Sequence, residues 1–412
     1  MYRDAVKAMT VLEEAAHAAR LAGGCVRDRL LGLPPADYDI ATDAPPDTVM
    51  QVFKAAGLRT VPTGIDHGTV TLVMPAGPVE ITTLRTDLAT DGRRAQVAFG
   101  TSFEQDAARR DFTINALFED RSGVIYDFFG GRADLAAGIL RFVGDATARI
   151  REDYLRILRF FRFQARFGYA PAPGTLEAIA ASKDGLARIS QERITSELMK
   201  TVCAPKAVTA LRAMRDCGVT ALVVPEIAQR ELAPDSAYDG LRAAFGGKNP
   251  PPSAALAFFL LFGQEPRPGI DSLRALGRQM RLPTREADKI AFVRDALERV
   301  PALATAAQAD HLDFVDACEK AAGGPGAFEE FFAPLLTALG CGVDKLAQTE
   351  LLHGHLRRAP LPVDGRRLQA ELGLAPGPEL GRLLELLRRE FRNGRWTSAD
   401  EALARAKQLV TT

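Results

Sequence analysis

The stretch from Gly23 to Thr42, GGCVRDRLLGLPPADYDIAT, constrains the chain more than any other. It opens on two glycines, runs into a short apolar segment with the look of a helix start, turns at Pro34-Pro35, and ends on Asp37-Tyr38-Asp39. Glycines ahead of a helix let the backbone approach a ligand closely, and the free N–H groups of a helix N-terminus suit phosphate. Arg27 stands one turn into that helix, within reach of the same anion. Two carboxylates with one residue between them point to one face of a strand. Gly-Gly before a helix is most often only a turn, and Asp-x-Asp is most often a solvated strand end. Thirteen positions separate Gly24 from Asp37, so helix, turn and strand form one compact unit. A pocket for phosphate beside paired carboxylates is what Mg²⁺-dependent phosphoryl or nucleotidyl transfer requires.

This stretch resembles the signature of the polymerase-β-like nucleotidyltransferases, in the branch that holds CCA-adding enzymes (tRNA nucleotidyltransferases) and bacterial poly(A) polymerases. The resemblance implies that Gly23, Gly24 and Arg27 hold a triphosphate and that Asp37 and Asp39 hold the metals, with Mg²⁺ as the cofactor.

A chain of 412 residues is long enough for several domains. Lys and Arg number 52 and so do Asp and Glu, so no global basic field marks an RNA-binding protein, and a nucleic-acid surface has to be a local patch. The five cysteines are scattered without a CxxC pair and read as reduced thiols of a cytoplasmic protein. The N-terminal residues read as an amphipathic helix over 1–22 and not as a signal peptide, and no apolar run is long enough to span a membrane.

Beyond the opening motif, residues 42–57 read as a capped helix, and strand-like runs follow at 58–64, 68–75 and 78–86. Glu80 lies in the third run. By position alone it is an exposed strand residue; by resemblance it is a third carboxylate supporting Asp37 and Asp39. Residues 86–106 show no strong period and read as a mobile loop. Within it, Asp91-Gly-Arg-Arg94 resembles the flexible loop of complete CCA-adding enzymes, and TGIDHGT around His67 resembles a turn of the same enzymes.

ARRDFTINAL (108–117) presents Arg110, Asp111 and Asn115 to a ribose and a triphosphate, or else simply starts a helix with charged caps. It resembles the second family signature, RRDxTxNA, which makes Arg110 a triphosphate contact. In EDYLRILRFFRFQARF (152–167), Arg156, Arg159, Arg162 and Arg166 fall within an arc of about 120°, opposite Ile157, Leu158, Phe161 and Ala165. An ordinary amphipathic helix would look the same. The resemblance implies more: EDxxR is the motif that selects the incoming base, with Asp153 and Arg156 as readers and Arg159 and Arg162 beside the nucleotide. The chemistry agrees. A carboxylate accepts from an exocyclic amine and a guanidinium donates to a ring acceptor. Cytosine and adenine offer that pair; uracil and guanine place a carbonyl and an N–H there. ISQERITSELMK (189–200) resembles a further motif in which Glu192 and Arg193 orient the neck. The arginines of the tail (366, 367, 388, 389, 392 and 395) either line a tRNA arm or form a solvated face. His353 and His355 lack the partners of a phosphohydrolase site.

The expected architecture is α+β: a mixed α/β nucleotidyltransferase palm over 1–146, then helical neck (147–205), body (206–360) and tail (361–412). The expected activity is addition of CCA to the tRNA 3′ end from CTP and ATP, with no membrane partner. The alternatives are a poly(A) polymerase, a CC-only enzyme, and, remotely, a catalytically silent RNA-binding module.

Overall fold

The computed structural model describes residues 1–90, 95–100, 102–228, 235–244, 269–303, 308–322, 332–338 and 360–411, with a few single positions between them. The chain forms two compact units, Met1–Leu232 and Ala233–Thr412.

The first unit is built on a seven-stranded mixed sheet in the order β3-β4-β5-β2-β1-β8-β9. Its strands are β1 (Ala19–Ala22), β2 (Asp39–Thr42), β3 (Thr60–Gly64), β4 (Thr69–Met74), β5 (Gly77–Thr83), β8 (Leu117–Glu119) and β9 (Ile125–Asp127). Helices α1 (Tyr2–Glu14) and α3 (Pro46–Ala55) cover one face, where Met9, Leu12, Val49 and Phe53 pack on Leu21, Ile40, Val70 and Ile81. The other face buries Ala22, Ala41, Leu84 and Phe118 against Phe103 and Ala107 of α4 (Phe103–Ala108). The period-two alternation of strands assigns sides: Leu21 and Ile40 go to one core, Ala22 and Ala41 to the other.

Two expectations are corrected here. Residues 1–22 are not one helix. Helix α1 stops at Glu14, Ala16 takes a left-handed φ of 65°, and Ala19–Ala22 is a central strand. The sequence ALA-rich in character favours helix, but pairing to both β2 and β8 overrides it. Residues 86–106 are not an irregular loop. β6 (Arg85–Thr90) and β7 (Ala95–Phe99) pair as an antiparallel hairpin, and α4 follows with Ser102 as its N-cap, the Ser102 side chain accepting from the Gln105 N–H. Asp91–Arg94 lie outside the described residues, as do His353, His355 and Cys341.

The helical part of the first unit includes α5 (Gly131–Ala137), α6 (Ala146–Glu152), α7 (Leu155–Phe167), α8 (Thr175–Ser182) and α9 (Gln191–Val202). The chain breaks between α6 and α7 at Asp153, whose backbone is extended (φ −150°, ψ 106°). In α7 the residues Ile157, Leu158, Phe161 and Ala165 are buried, the face opposite the arginines.

The second unit is helical among its described residues. Ile270–Gln279, Thr284–Leu303 and Gln308–Ala322 enclose Leu273, Ile290, Val293, Phe314 and Val315, and Gly365–Leu372, Pro378–Arg392 and Ala399–Thr411 enclose Leu383, Leu387, Phe391 and Trp396. Of the tail arginines, Arg392 is buried and ion-paired with Asp313 and Asp316, and Arg389 pairs with Asp310. These two therefore tie the tail helix to Gln308–Ala322, which a solvated arginine face would not do. No described helix is long and apolar enough to cross a membrane.

Candidate active site

The site lies at one end of the sheet, where β2 begins. Tyr38 is buried with the α1/α3 core, in ring contact with Tyr2. β2 begins at Asp39, and strand parity places Asp39 with Ala41 on the opposite face, the one that carries α4; Asp37 stands just ahead of the strand, close enough for its charge to act on Asp39. β2 and β5 run parallel with Asp39 opposite Glu80. Val79 and Ile81 of β5 sit in the α1/α3 core, so Glu80 shares the face of Asp39. Asp39 and Glu80 on adjacent strands, with Asp37 just ahead of β2, thus form one group of interacting carboxylates.

Their electrostatics are unfavourable in isolation. Burial, then Asp37, then Glu80 push the Asp39 carboxyl up to about 7, and Arg110 opposes them. A site that crowds carboxylates in this way fits a cation. Among the described residues no group of three or more His, Cys, Asp or Glu side chains is placed to hold a metal ion by itself. The donors at this corner are all carboxylate oxygens, the ligand type that Mg²⁺ takes together with phosphates and water. Asp37 and Asp39 are the residues that would hold such an ion.

Beside the carboxylates is a turn that only glycine suits. Gly23 has φ +72°, and a Cβ there would stand 2.6 Å from Arg110 Nη1. Helix α2 (Gly24–Leu30) starts at the next residue. It is only seven residues long, so its dipole is small, and the positive charge that faces the Gly23 turn is the Arg110 guanidinium.

Under the corner runs a buried polar network linking three sequence motifs. Arg27 is 3% exposed; its guanidinium binds Asp28 at 2.8 Å and donates to Asn115 Oδ1. Asn115 Nδ2 donates to Asp111 Oδ1 at 3.1 Å, and Arg159 Nε donates to Asp111 Oδ2 at 2.8 Å. Arg166 Nη2 closes the other end on Asp28 Oδ2 at 2.9 Å. Burial raises the Asp111 carboxyl, but Arg159 and Asn115 outweigh it and hold it below the usual carboxylate range. Arg162 Nε stands 3.1 Å from the buried Glu197, an ion pair at an angle that misses a hydrogen bond.

The EDxxR residues are close in sequence but are held by different partners. Asp153 Oδ2 accepts from Arg193 Nη2 at 2.9 Å. Arg156 donates to Glu152 at 2.6 Å and to the carbonyls of Arg149 and Arg109 at 2.8 and 3.1 Å. Both side chains are half-buried.

Sequence reasoning passed over two members of this region. Asp106, 1% exposed, binds both Arg109 and Arg110. Asp28 joins Arg27 to Arg166. The i,i+3 and i,i+4 spacing of Asp106 to the two arginines was the available signal.

The mixed sheet, the glycine turn and the grouped carboxylates define a nucleotidyltransferase head. Residues 19–141 match the model of the poly A polymerase head domain, and residues 168–230 match that of the probable RNA and SrmB-binding site of polymerase A. The chain is 34% identical over 420 residues to the mouse mitochondrial CCA tRNA nucleotidyltransferase 1, covering 99% of this chain and 91% of that protein. It is 38% identical over 307 residues to the CCA-adding enzyme of Geobacillus stearothermophilus, covering 73% of this chain and 71% of that protein. Among solved structures, the Bacillus stearothermophilus CCA-adding enzyme in complex with CTP superposes with a TM-score of 0.79 at 29% identity, covering 100% of this chain and 98% of that one. This chain belongs to the family of CCA-adding enzymes, the tRNA nucleotidyltransferases. Enzymes of this family use a divalent metal.

Proposed function

We propose that the chain adds C, C and A in turn to the 3′ end of tRNA, using CTP and ATP and releasing pyrophosphate, with Mg²⁺ held by Asp37 and Asp39. The observation that carries this reading is the register that sets Asp39 beside Glu80, two residues from Asp37, within electrostatic reach of Arg110. When bound, the ion supplies Lewis acidity at the phosphoryl oxygens and favours ionisation of the attacking hydroxyl. Glu80 keeps the local charge negative enough to draw a cation. Gly23 and Gly24 let the triphosphate approach the backbone, and Arg110 donates to it. Arg27 is enclosed and holds Asn115, which holds Asp111, which with Arg159 forms a rigid floor under the nucleotide. Arg162 lines the same helix.

Asp153 and Arg156 read the base. In the free chain their polar edges are occupied by Arg193 and Glu152. A base that offers an amine next to a ring acceptor replaces those partners; a base with the reversed pattern leaves polar groups unpaired, the strong form of discrimination. The chain divides into palm (1–146), neck (147–205), body (206–360) and a tRNA-binding tail (361–412). We place it in the cytoplasm: Cys25, Cys203, Cys217 and Cys318 are buried free thiols, as in a reducing compartment.

The test is incorporation of labelled CTP and ATP, separately and together, into tRNA that ends at the discriminator base, with Mg²⁺. Two C and one A followed by a stop is the expected product. C without A would make the protein a CC-adding enzyme, long A tails a poly(A) polymerase, and no incorporation with tRNA still bound a silent binding module.

A further inference from the structure

We propose that Asp106 is a positioning residue for the triphosphate, its carboxylate aiming the Arg110 guanidinium across the Gly23 turn. The inference rests on the reading that Arg110 contacts the triphosphate.

Asp106 sits near the end of α4 and is 1% exposed. Its Oδ2 accepts from Arg110 Nε at 3.1 Å and from Arg110 Nη2 at 2.9 Å. That grip takes one edge of the guanidinium. The remaining nitrogen, Nη1, is turned toward the Gly23 turn and rests 3.3 Å from the Asn115 carbonyl. A flexible side chain is thereby fixed in one direction before any ligand arrives, which lowers the ordering cost of binding. Phe118 sets the other limit, its ring centroid 5.0 Å from the Arg110 Cζ.

The second oxygen of Asp106 is engaged as well. Oδ1 accepts from Arg109 Nε at 2.8 Å and from Arg109 Nη2 at 2.5 Å. The carboxylate is therefore held from both sides and has little freedom to follow Arg110 if Arg110 moves. The Arg109 carbonyl in turn accepts from Arg156 Nη2, so the segment that aims Arg110 also supports a base-reading arginine. Burial raises the Asp106 carboxyl, but Arg110 and Arg109 outweigh it and keep it below the usual carboxylate range, so it is ionised at neutral pH. Asp106 faces no carboxylate of the metal site in these contacts and is outside the reacting groups. Its part is to act through Arg110.

The experiment uses the full chain and the variants Asp106→Asn, Asp106→Glu, Arg110→Ala and Asp106→Asn/Arg110→Ala. Affinities for CTP and CMP are measured by calorimetry, and KM and kcat for CTP by incorporation into tRNA. Asp106→Asn is expected to weaken CTP roughly tenfold and raise its KM alike, the size usual for a residue that orients a ligating group. CMP affinity should stay unchanged, which a general loss of structure would not allow. The double variant should bind CTP no worse than Arg110→Ala alone. Asp106→Glu keeps the charge but displaces the guanidinium by a methylene, and should fall between wild type and Asp106→Asn; it also serves if Asp106→Asn fails to fold. If Arg110→Ala weakens CTP while Asp106→Asn and Asp106→Glu do not, or if the two losses add, the role of Asp106 is overturned and the reading of Arg110 stands. If Arg110→Ala leaves CTP affinity unchanged, the reading of Arg110 falls first and the proposal with it.

Discussion

Two clusters of charge in the first unit follow opposite rules. At the start of β2, Asp37, Asp39 and Glu80 are gathered with Arg110 as the opposing charge, and the Asp39 carboxyl is pushed up to about 7. Elsewhere in the same unit, Asp106, Asp111 and Asp28 are each gripped by arginines, and Asp106 and Asp111 are held below the ordinary carboxylate range. The first opens to water at Asp37 and Glu80, with Asp39 half-buried, whereas Asp28, Asp106 and Asp111 are all buried. One is left short of positive charge and the other is satisfied. On the function proposed above, the contrast separates a place that takes a ligand from a scaffold beneath it: a cation would bring the charge that Asp39 lacks, while the arginine-paired aspartates are already satisfied.

The largest effect should come from the unsatisfied cluster. Asp39→Asn is expected to lower nucleotide incorporation by about 10³-fold or more, the loss of several kcal/mol of transition-state stabilisation. In EDTA at pH 8 the same variant should be more stable to urea than wild type by about 1 kcal/mol, because a like charge has been removed. A variant that loses both activity and stability would erase the contrast. The satisfied cluster predicts the reverse. Asp111→Asn strands Arg159 and should cost about 3 kcal/mol of unfolding free energy, read from urea midpoints. A cost below about 1 kcal/mol would mean that Arg159 finds another partner and that the network is not a scaffold.

The pH dependence of stability sharpens the same comparison, because the two clusters have opposite signs. The folded Asp39 carboxyl titrates above its unfolded value. Its contribution is therefore fully present below about pH 4 and is lost as pH rises through about 7. The folded Asp106 and Asp111 carboxyls titrate below their unfolded values. Their contribution is present above about pH 4 and is lost as pH falls further. Metal-free chain should gain stability as pH drops from 8 toward 5 and lose it at more acid pH. Asp39→Asn should flatten the first limb and Asp111→Asn the second.

Much of the first cluster was legible in the sequence, and little of the second. The one-residue spacing of Asp37 and Asp39 is read directly, although β2 begins only at Asp39, and the turn at Gly23 announces itself by its glycine pair. That Glu80 joins them depends on a parallel register between β2 and β5, which no local pattern encodes. The strand Ala19–Ala22 has the composition of a helix, and only its two neighbours in the sheet make it a strand. The hairpin of β6 and β7 lacks a run of strong strand formers, so its sequence alone reads as a loop and only the pairing reveals the strands. The arginine face of α7 was visible as a period, but its partners Asp111, Asp28 and Glu197 lie 48, 138 and 35 residues away along the chain from Arg159, Arg166 and Arg162. A helical period says which side chains leave a helix together and not what receives them.

The smallest effect tests how far the satisfied cluster extends. Arg166 is 45% exposed at its side chain, yet it closes the network on Asp28, which is 5% exposed. Its guanidinium is open to water, so the pair with Asp28 is screened and its strength is that of a surface ion pair. Asp28 also keeps its contact with the enclosed Arg27 when Arg166 is removed. Arg166→Met, which retains an aliphatic stem and gives up the guanidinium over the Phe167 ring, should therefore cost about 1 kcal/mol or less in urea. It should leave the affinity for CTP unchanged, since the proposed floor under the nucleotide runs through Arg27, Asn115 and Asp111. A cost comparable to that of Asp111→Asn would show that Arg27 cannot hold Asp28 alone. The network would then be one cooperative unit reaching to the surface, and the boundary between scaffold and solvated helix face would have to be moved out to Arg166.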